Sequence, residues 1–149
     1  MDNKPLVLVA YYDRNFVYPI IEELASLGFK VQFCENGAEL FLAIRYKKPV
    51  ALVINIQLAH GGEFGSDQIL DFARTGVSVC QWLRKNGFHF PVVLITNGQD
   101  VSELESLPGP GVQKVLSMAE QKGNFSVAVG RTVRELLGYQ GEFSRDGLG

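Results

Sequence analysis

The chain has 149 residues, 46% of them hydrophobic, with 14 basic and 16 acidic side chains and a formal net charge of -2. That length fits one domain burying roughly 70% of the surface its unfolded form would expose, and the mixed charges offer no basic stripe for a phosphate backbone, which argues against direct nucleic-acid binding. No apolar run approaches the roughly 18 to 20 residues that span a bilayer, and the N-terminus lacks the basic segment and apolar core of a signal peptide, so a cytoplasmic protein with no membrane association is expected.

In chain order, the first apolar run, Leu6 to Ala10, reads as a buried parallel strand. Asn15 to Leu27 places Phe16, Ile20, Ile21, Leu24 and Leu27 on one helical face, and Gly28 is positioned to stop the helix in the left-handed capping conformation. A second strand is expected over Lys30 to Cys34, a second helix over Gly37 to Tyr46, and a third strand over Ala51 to Ile56. The stretch from 57 to 75 then breaks the rhythm, because strand-to-helix loops usually run two to six residues. Its HGGEFG, 60 to 65, reads as a glycine-rich start, and DQILDFAR, 67 to 74, as an added helical turn or two; docking a partner or covering the sheet edge are both open roles.

A third helix is expected from about Gly76 to Lys85, a fourth strand over Val92 to Thr96, a fifth over Gln113 to Ser117, and a last helix over Phe125 to Leu137. Between the last two strands, SLPGPG at 106 to 111 limits any helix to about Val101 to Leu107, since each proline removes an amide donor and restricts its predecessor. The alternation implies right-handed crossovers and a parallel sheet covered on both faces by helices. Residues 1–140 read as one domain, and GEFSRDGLG, 141–149, as a flexible tail.

Common site chemistries find little support. Cys34 and Cys80 lack a CxxC spacing or a histidine-rich neighbourhood and read as buried free thiols. His60 and His89 have no second ligand at metal spacing, and Ser66 and Asp67 sit near His60 only in sequence. There is no GxxxxGK[ST] loop, and HGGEFG lacks the GxGxxG spacing of a dinucleotide site. No cofactor, no metal and no enzymatic activity are expected. Trp82 on the third helix reads as core.

Four segments in order carry a resemblance: VLVAYYDRNF at 7 to 16, PVALVINIQLA at 49 to 59, PVVLITN at 91 to 97 and GVQKVLSMAE at 111 to 120. Over about residues 5 to 138 the chain resembles the receiver domain of response regulators, the CheY-like family. The resemblance implies a flavodoxin-like, doubly wound five-stranded parallel sheet in three α/β/α layers, with 57–75 as an insertion between the third strand and third helix. It also implies a degenerate phosphorylation pocket. Tyr11 and Tyr12 stand where the family holds magnesium with two acids, and Asn55 stands in place of the phosphoacceptor aspartate. Met118 replaces the lysine, Ala119 the proline after it, and Val115 the switch aromatic, whereas Thr96 keeps the family's hydroxyl. A one-residue slip would put Asp13 in the acidic pair.

Each replacement has a chemical consequence. An amide carries no anionic oxygen to attack phosphorus, neutral phenols remove the charge that makes magnesium binding worthwhile, and a thioether cannot pair with phosphoryl oxygens. A pocket of neutral groups also avoids the mutual repulsion of carboxylates left without their cation. The expected arrangement has the two tyrosines partly over the former acidic pocket, a phenol bonded to Asn55 or Thr96, and Met118 filling space. The expected function is a phosphorylation-independent interaction or adaptor module in bacterial signal transduction. Its partner would be a protein, a kinase or another signalling component among the candidates, with homodimerisation also open. By the resemblance, the contact face would be that of the fourth helix, fifth strand and fifth helix, which carries Lys114. The alternative is a small-ligand or cofactor sensor using the remodelled pocket.

Overall fold

A computed structural model describes residues 4–11, 13–55, 75–96, 114–118 and 124–138. Within them lie β1 (Leu6–Ala10), α1 (Arg14–Ser26), β2 (Lys30–Cys34), α2 (Gly37–Lys47), β3 (Ala51–Asn55), α3 (Thr75–Lys85), β4 (Val92–Thr96), β5 (Lys114–Ser117) and α4 (Phe125–Leu136). The strands form one parallel sheet in the order β2-β1-β3-β4-β5. This is the flavodoxin-like order, in which the direction of winding reverses between β1 and β3.

Side chains alternate across the sheet and build two cores. Leu8, Ala10, Leu52, Ile54, Leu94 and Val115 pack with Leu40 and Ile44 of α2 and Val79, Cys80 and Leu83 of α3. Val7, Val9, Val53, Val93, Ile95 and Leu116 pack on the other face with Val17, Ile20 and Leu24 of α1 and Val129 and Val133 of α4. The central strands β3 and β4 are buried along their whole length, which is why they read as continuous apolar runs. β2 lies at an edge and is only partly covered.

The helix boundaries fall where capping chemistry places them. Asp13 caps α1 by accepting from the Asn15 N–H at 3.1 Å, Asn36 caps α2 by accepting from Glu39 N–H at 2.9 Å, and Asn124 caps α4 by accepting from Ser126 and Val127 N–H. α1 closes at Leu27, followed by Gly28 at φ 98°, as its sequence suggested. Pro19 lies inside α1, so the Asn15 carbonyl receives no N–H from that position. α1 and α4 approach closely at Gly130, where an added Cβ would stand 2.9 Å from both Glu23 Cγ and Leu27 Cδ1.

α2 ends differently, with Lys48 in the left-handed region at φ 54° just before Pro49. A lysine there carries a Cβ penalty that glycine avoids. Lys48→Gly is therefore expected to raise unfolding free energy by up to about 1 kcal/mol in urea titrations.

Every strand and long helix expected from the sequence is present, with ends shifted by one residue at most among the described residues. Ile56 and Gln113, expected at strand ends, lie outside those residues. So do the insertion 57–75 except for Thr75, the segment Val101 to Leu107, and the tail 141–149.

Cys34 and Cys80 are free and buried in the core under α2 and α3. Burial pushes both thiols up to about 12. A thiol that ionises later in the folded chain than in the unfolded one stabilises the fold fully below the unfolded pKa and loses that contribution as pH rises through the folded one. Stability is accordingly expected to fall between about pH 9 and 12, and native protein at pH 7.5 to resist iodoacetamide until denaturant is added, both readable by melting and mass measurement.

Candidate functional site

The C-terminal ends of β1, β3, β4 and β5 define one edge of the sheet, the edge where ligands of open α/β sheets bind. Registers set the neighbours: Ala10 pairs with Ile54, Asn55 with Ile95, and Thr96 with Ser117. Tyr11, Asn55, Thr96 and Met118 are thereby gathered at that edge from four different strands. Asn55, Thr96 and Ser117 are 1%, 2% and 3% exposed, a buried polar row at the top of an otherwise apolar sheet. Such groups persist only when hydrogen-bonded, and Asn55 and Ser117 both have interaction partners.

Tyr11 follows β1 and donates its backbone N–H to Cys34 O at 3.1 Å. Its side chain, 3% exposed, belongs to the core beneath α1 and meets Phe16 edge-on at 5.2 Å. The phenyl group is thus part of the apolar core, where an acidic side chain would be costly. Tyr12 lies outside the described residues. Asp13 is exposed and spends a carboxylate oxygen on the cap of α1.

Met118 donates its backbone N–H to Thr96 O at 2.8 Å, which continues the β4–β5 ladder by one bond. Met118, expected to fill space, is 36% exposed just past the end of β5.

Beside this edge lies an open recess of about 560 Å³ lined by Asp13, Arg14, Asn15, Phe33, Glu35 and Glu39. Its polar groups serve the fold. Glu39 accepts from Glu35 N–H at 2.7 Å while Asn36 caps the same turn, and the Arg14 guanidinium lies 5.5 Å from the centre of the Phe33 ring. Sequence reading overlooked this arrangement, although Asn36 with Glu39 three residues on is a capping-box signal. Among the described residues no group of three His, Cys, Asp or Glu side chains is placed to hold a metal ion, and no helix is long and apolar enough to cross a membrane. His60, Ser66 and Asp67 lie outside the described residues.

Topology and polar row together define a receiver-type α/β fold, and solved structures agree. The receiver domain of the Francisella response regulator 1452 is 21% identical, covers 91% of this chain and 98% of its own, and superposes with a TM-score of 0.67. A response regulator from Thermotoga maritima is 15% identical at a TM-score of 0.67, covering 91% and 98% of the two chains. The signal receiver domain of an HD domain-containing protein from Pseudomonas fluorescens is 11% identical at 0.69, covering 94% and 99%. Identities this low speak to fold alone. No protein-family model matches the chain, and no curated protein matches it.

Proposed function

We propose that the chain is a phosphorylation-independent pseudo-receiver, acting as a protein–protein interaction or adaptor module in bacterial signal transduction. The observation that carries the reading is Asn55, the last residue of β3, 1% exposed on the ligand edge of a receiver-type sheet. By the resemblance drawn from its sequence, that position belongs to the phosphoacceptor aspartate. An amide there offers no anionic nucleophile. Tyr11 supports the reading, since its ring completes the core below α1 in a position where the family keeps a magnesium-binding acid. Met118, exposed and uncharged, supplies no cation to the pocket.

On this reading the protein is not an enzyme, uses no cofactor, and works in the cytoplasm through a protein partner, with a signalling kinase or a second copy of the chain as candidates. The alternative, a small-ligand or cofactor sensor, concerns the pocket around Tyr11, Tyr12, Asn55 and Thr96; the recess beside Asp13 is a separate feature, in which Asp13 and Glu39 are engaged in helix capping.

The test is thermal melting with magnesium and beryllium fluoride, because a ligand bound only to the native state must stabilise it. No change in Tm is the expected result. A magnesium-dependent rise would overturn the reading and place a functional acidic pair near Asn55.

A further inference from the structure

α2 differs from the other helices in what it shows to solvent. α1, α3 and α4 separate apolar from polar faces strongly, whereas α2 does so weakly. The cause is Leu42 and Tyr46, one helical turn apart on its outer side and 54% and 71% exposed. Next to them the half-buried Phe41 meets Trp82 of α3 edge-on at 5.4 Å, Trp82 stacks on Phe88 at 5.9 Å, and Phe88 lies 6.3 Å from Phe90. An apolar strip therefore crosses from the outside of α2 to the segment that follows α3.

Among the described residues, basic side chains predominate along this strip. The only acid of α2, Glu39, lies in its first turn, while Arg45 and Lys47 occupy the last turn and Lys48 the cap. α3 contains no acid and ends in Arg84 and Lys85. Arg84 is committed to the fold, donating to Phe88 O at 2.6 Å and Phe90 O at 2.9 Å. Arg45 lies over the Phe41 ring at 5.3 Å and near Tyr46 at 6.0 Å. Arg45 thus borders the exposed apolar side chains directly, with Lys47 and Lys48 at the end of the same helix and Lys85 at the end of α3, in a protein whose net charge is -2.

A partner that fits must bring both apolar anchors and negative charge. An amphipathic helical segment rich in Asp and Glu does so, its anchors at helical spacing covering Leu42 and Tyr46 while its carboxylates meet the basic rim. The four-residue spacing of the two exposed anchors, one turn apart on a single helix, matches side chains at one-turn spacing on a facing helix. We infer that the outer face of α2, continued by the aromatic strip of α3, is the docking surface for an acidic amphipathic segment of a partner protein. This adds the face and the partner's chemistry to the adaptor reading, and it holds whatever the state of Asn55.

Trp82 is the single tryptophan of the chain and reports on the strip directly. The probe is a synthetic helical peptide with leucines at one-turn spacing and glutamates at the remaining positions. Its counterpart carries lysine in place of each glutamate. Saturable change in Trp82 emission with the glutamate peptide, weakening as salt is raised and absent with the lysine peptide, is expected. The double variant Arg45→Glu, Lys47→Glu and the single variant Leu42→Ser should each weaken binding about tenfold or more. The control variant Lys30→Glu, Arg131→Glu makes the same charge change at exposed positions elsewhere and should bind as the parent does. Equal binding by the charge-reversed and control variants would overturn the proposal, as would silence of Trp82 with the glutamate peptide. Binding to phosphatidylglycerol vesicles without binding to the peptide would overturn it in favour of a lipid surface. The phosphoryl-mimic melt reads the other end of the sheet, so the two ideas fail separately.

Discussion

Asn55→Asp is expected to lower stability by about 3 kcal/mol at pH 8, the equivalent of a carboxyl pKa raised by about two units through burial. Asn55 is 1% exposed, and Met118, which the resemblance sets at the family's lysine position, carries no charge to offset a buried carboxylate. The sign of the pH dependence follows from linkage. An unfolded aspartate ionises near pH 3.9, whereas the buried one ionises later. The variant therefore nearly matches the parent below about pH 4, and its deficit grows as pH rises and levels off above the raised pKa. Urea titrations of both proteins at several pH values check this directly. Adding magnesium and beryllium fluoride to Asn55→Asp should leave its Tm unchanged, since one restored carboxylate does not make an octahedral oxygen site. A magnesium-dependent rescue would mean that the rest of the pocket is still competent, and the adaptor reading would then have to accommodate a site one substitution away from chemistry.

The second large effect is expected at Arg84. Its guanidinium bonds two carbonyls, Phe88 O and Phe90 O, that lie in the turn between α3 and β4. Hydrogen bonds from a charged donor contribute about 1.5–3 kcal/mol each where partly shielded from water, and their loss leaves acceptors without partners. Arg84→Ala should cost about 2–4 kcal/mol. Arg84→Lys should recover little of it, because an ammonium cannot present two parallel donors in a fixed fork. The turn also carries Phe88, which stacks on Trp82, and Phe90, which lies against Phe88, so a red shift of the tryptophan emission should accompany the loss. A variant with parent-like stability would show that the aromatic packing alone holds the turn.

The division between what could be read early and what could not is clearest in particular residues. The strands β1, β3 and β4 were legible because strands covered on both faces demand nearly unbroken apolar runs, and such runs stand out from the polar segments that separate them. The helices were legible through their apolar period, and the order of elements then implied the sheet. Asn55 was singled out through the resemblance of PVALVINIQLA, 49 to 59, to the receiver family's segment, with the strand expected to run on to Ile56. Asp13 was visible as a residue, but its role as the cap of α1 depends on where the chain turns after Tyr11.

Side-chain direction at the sheet edge was a different matter. Tyr11 was expected partly over the pocket; the structure places its ring in the core beneath α1 against Phe16, a contact made only when the helix folds back across the strand. Met118 was expected to fill space and is 36% exposed just past the end of β5, a balance set by its surroundings in the fold. Trp82 read as core, yet it is half-buried and joins Phe41, Phe88 and Phe90 in a strip that no local pattern announces.

The sequence by itself therefore determined the elements and their order, which are local properties of residue type and spacing. Tertiary structure alone decided which residues meet from distant parts of the chain: the buried row of Asn55, Thr96 and Ser117, and the basic-rimmed aromatic strip joining α2 to α3. The physical reason is that a parallel sheet joins each strand to its neighbour through a crossover, so residues far apart in sequence become adjacent only once register and packing are set.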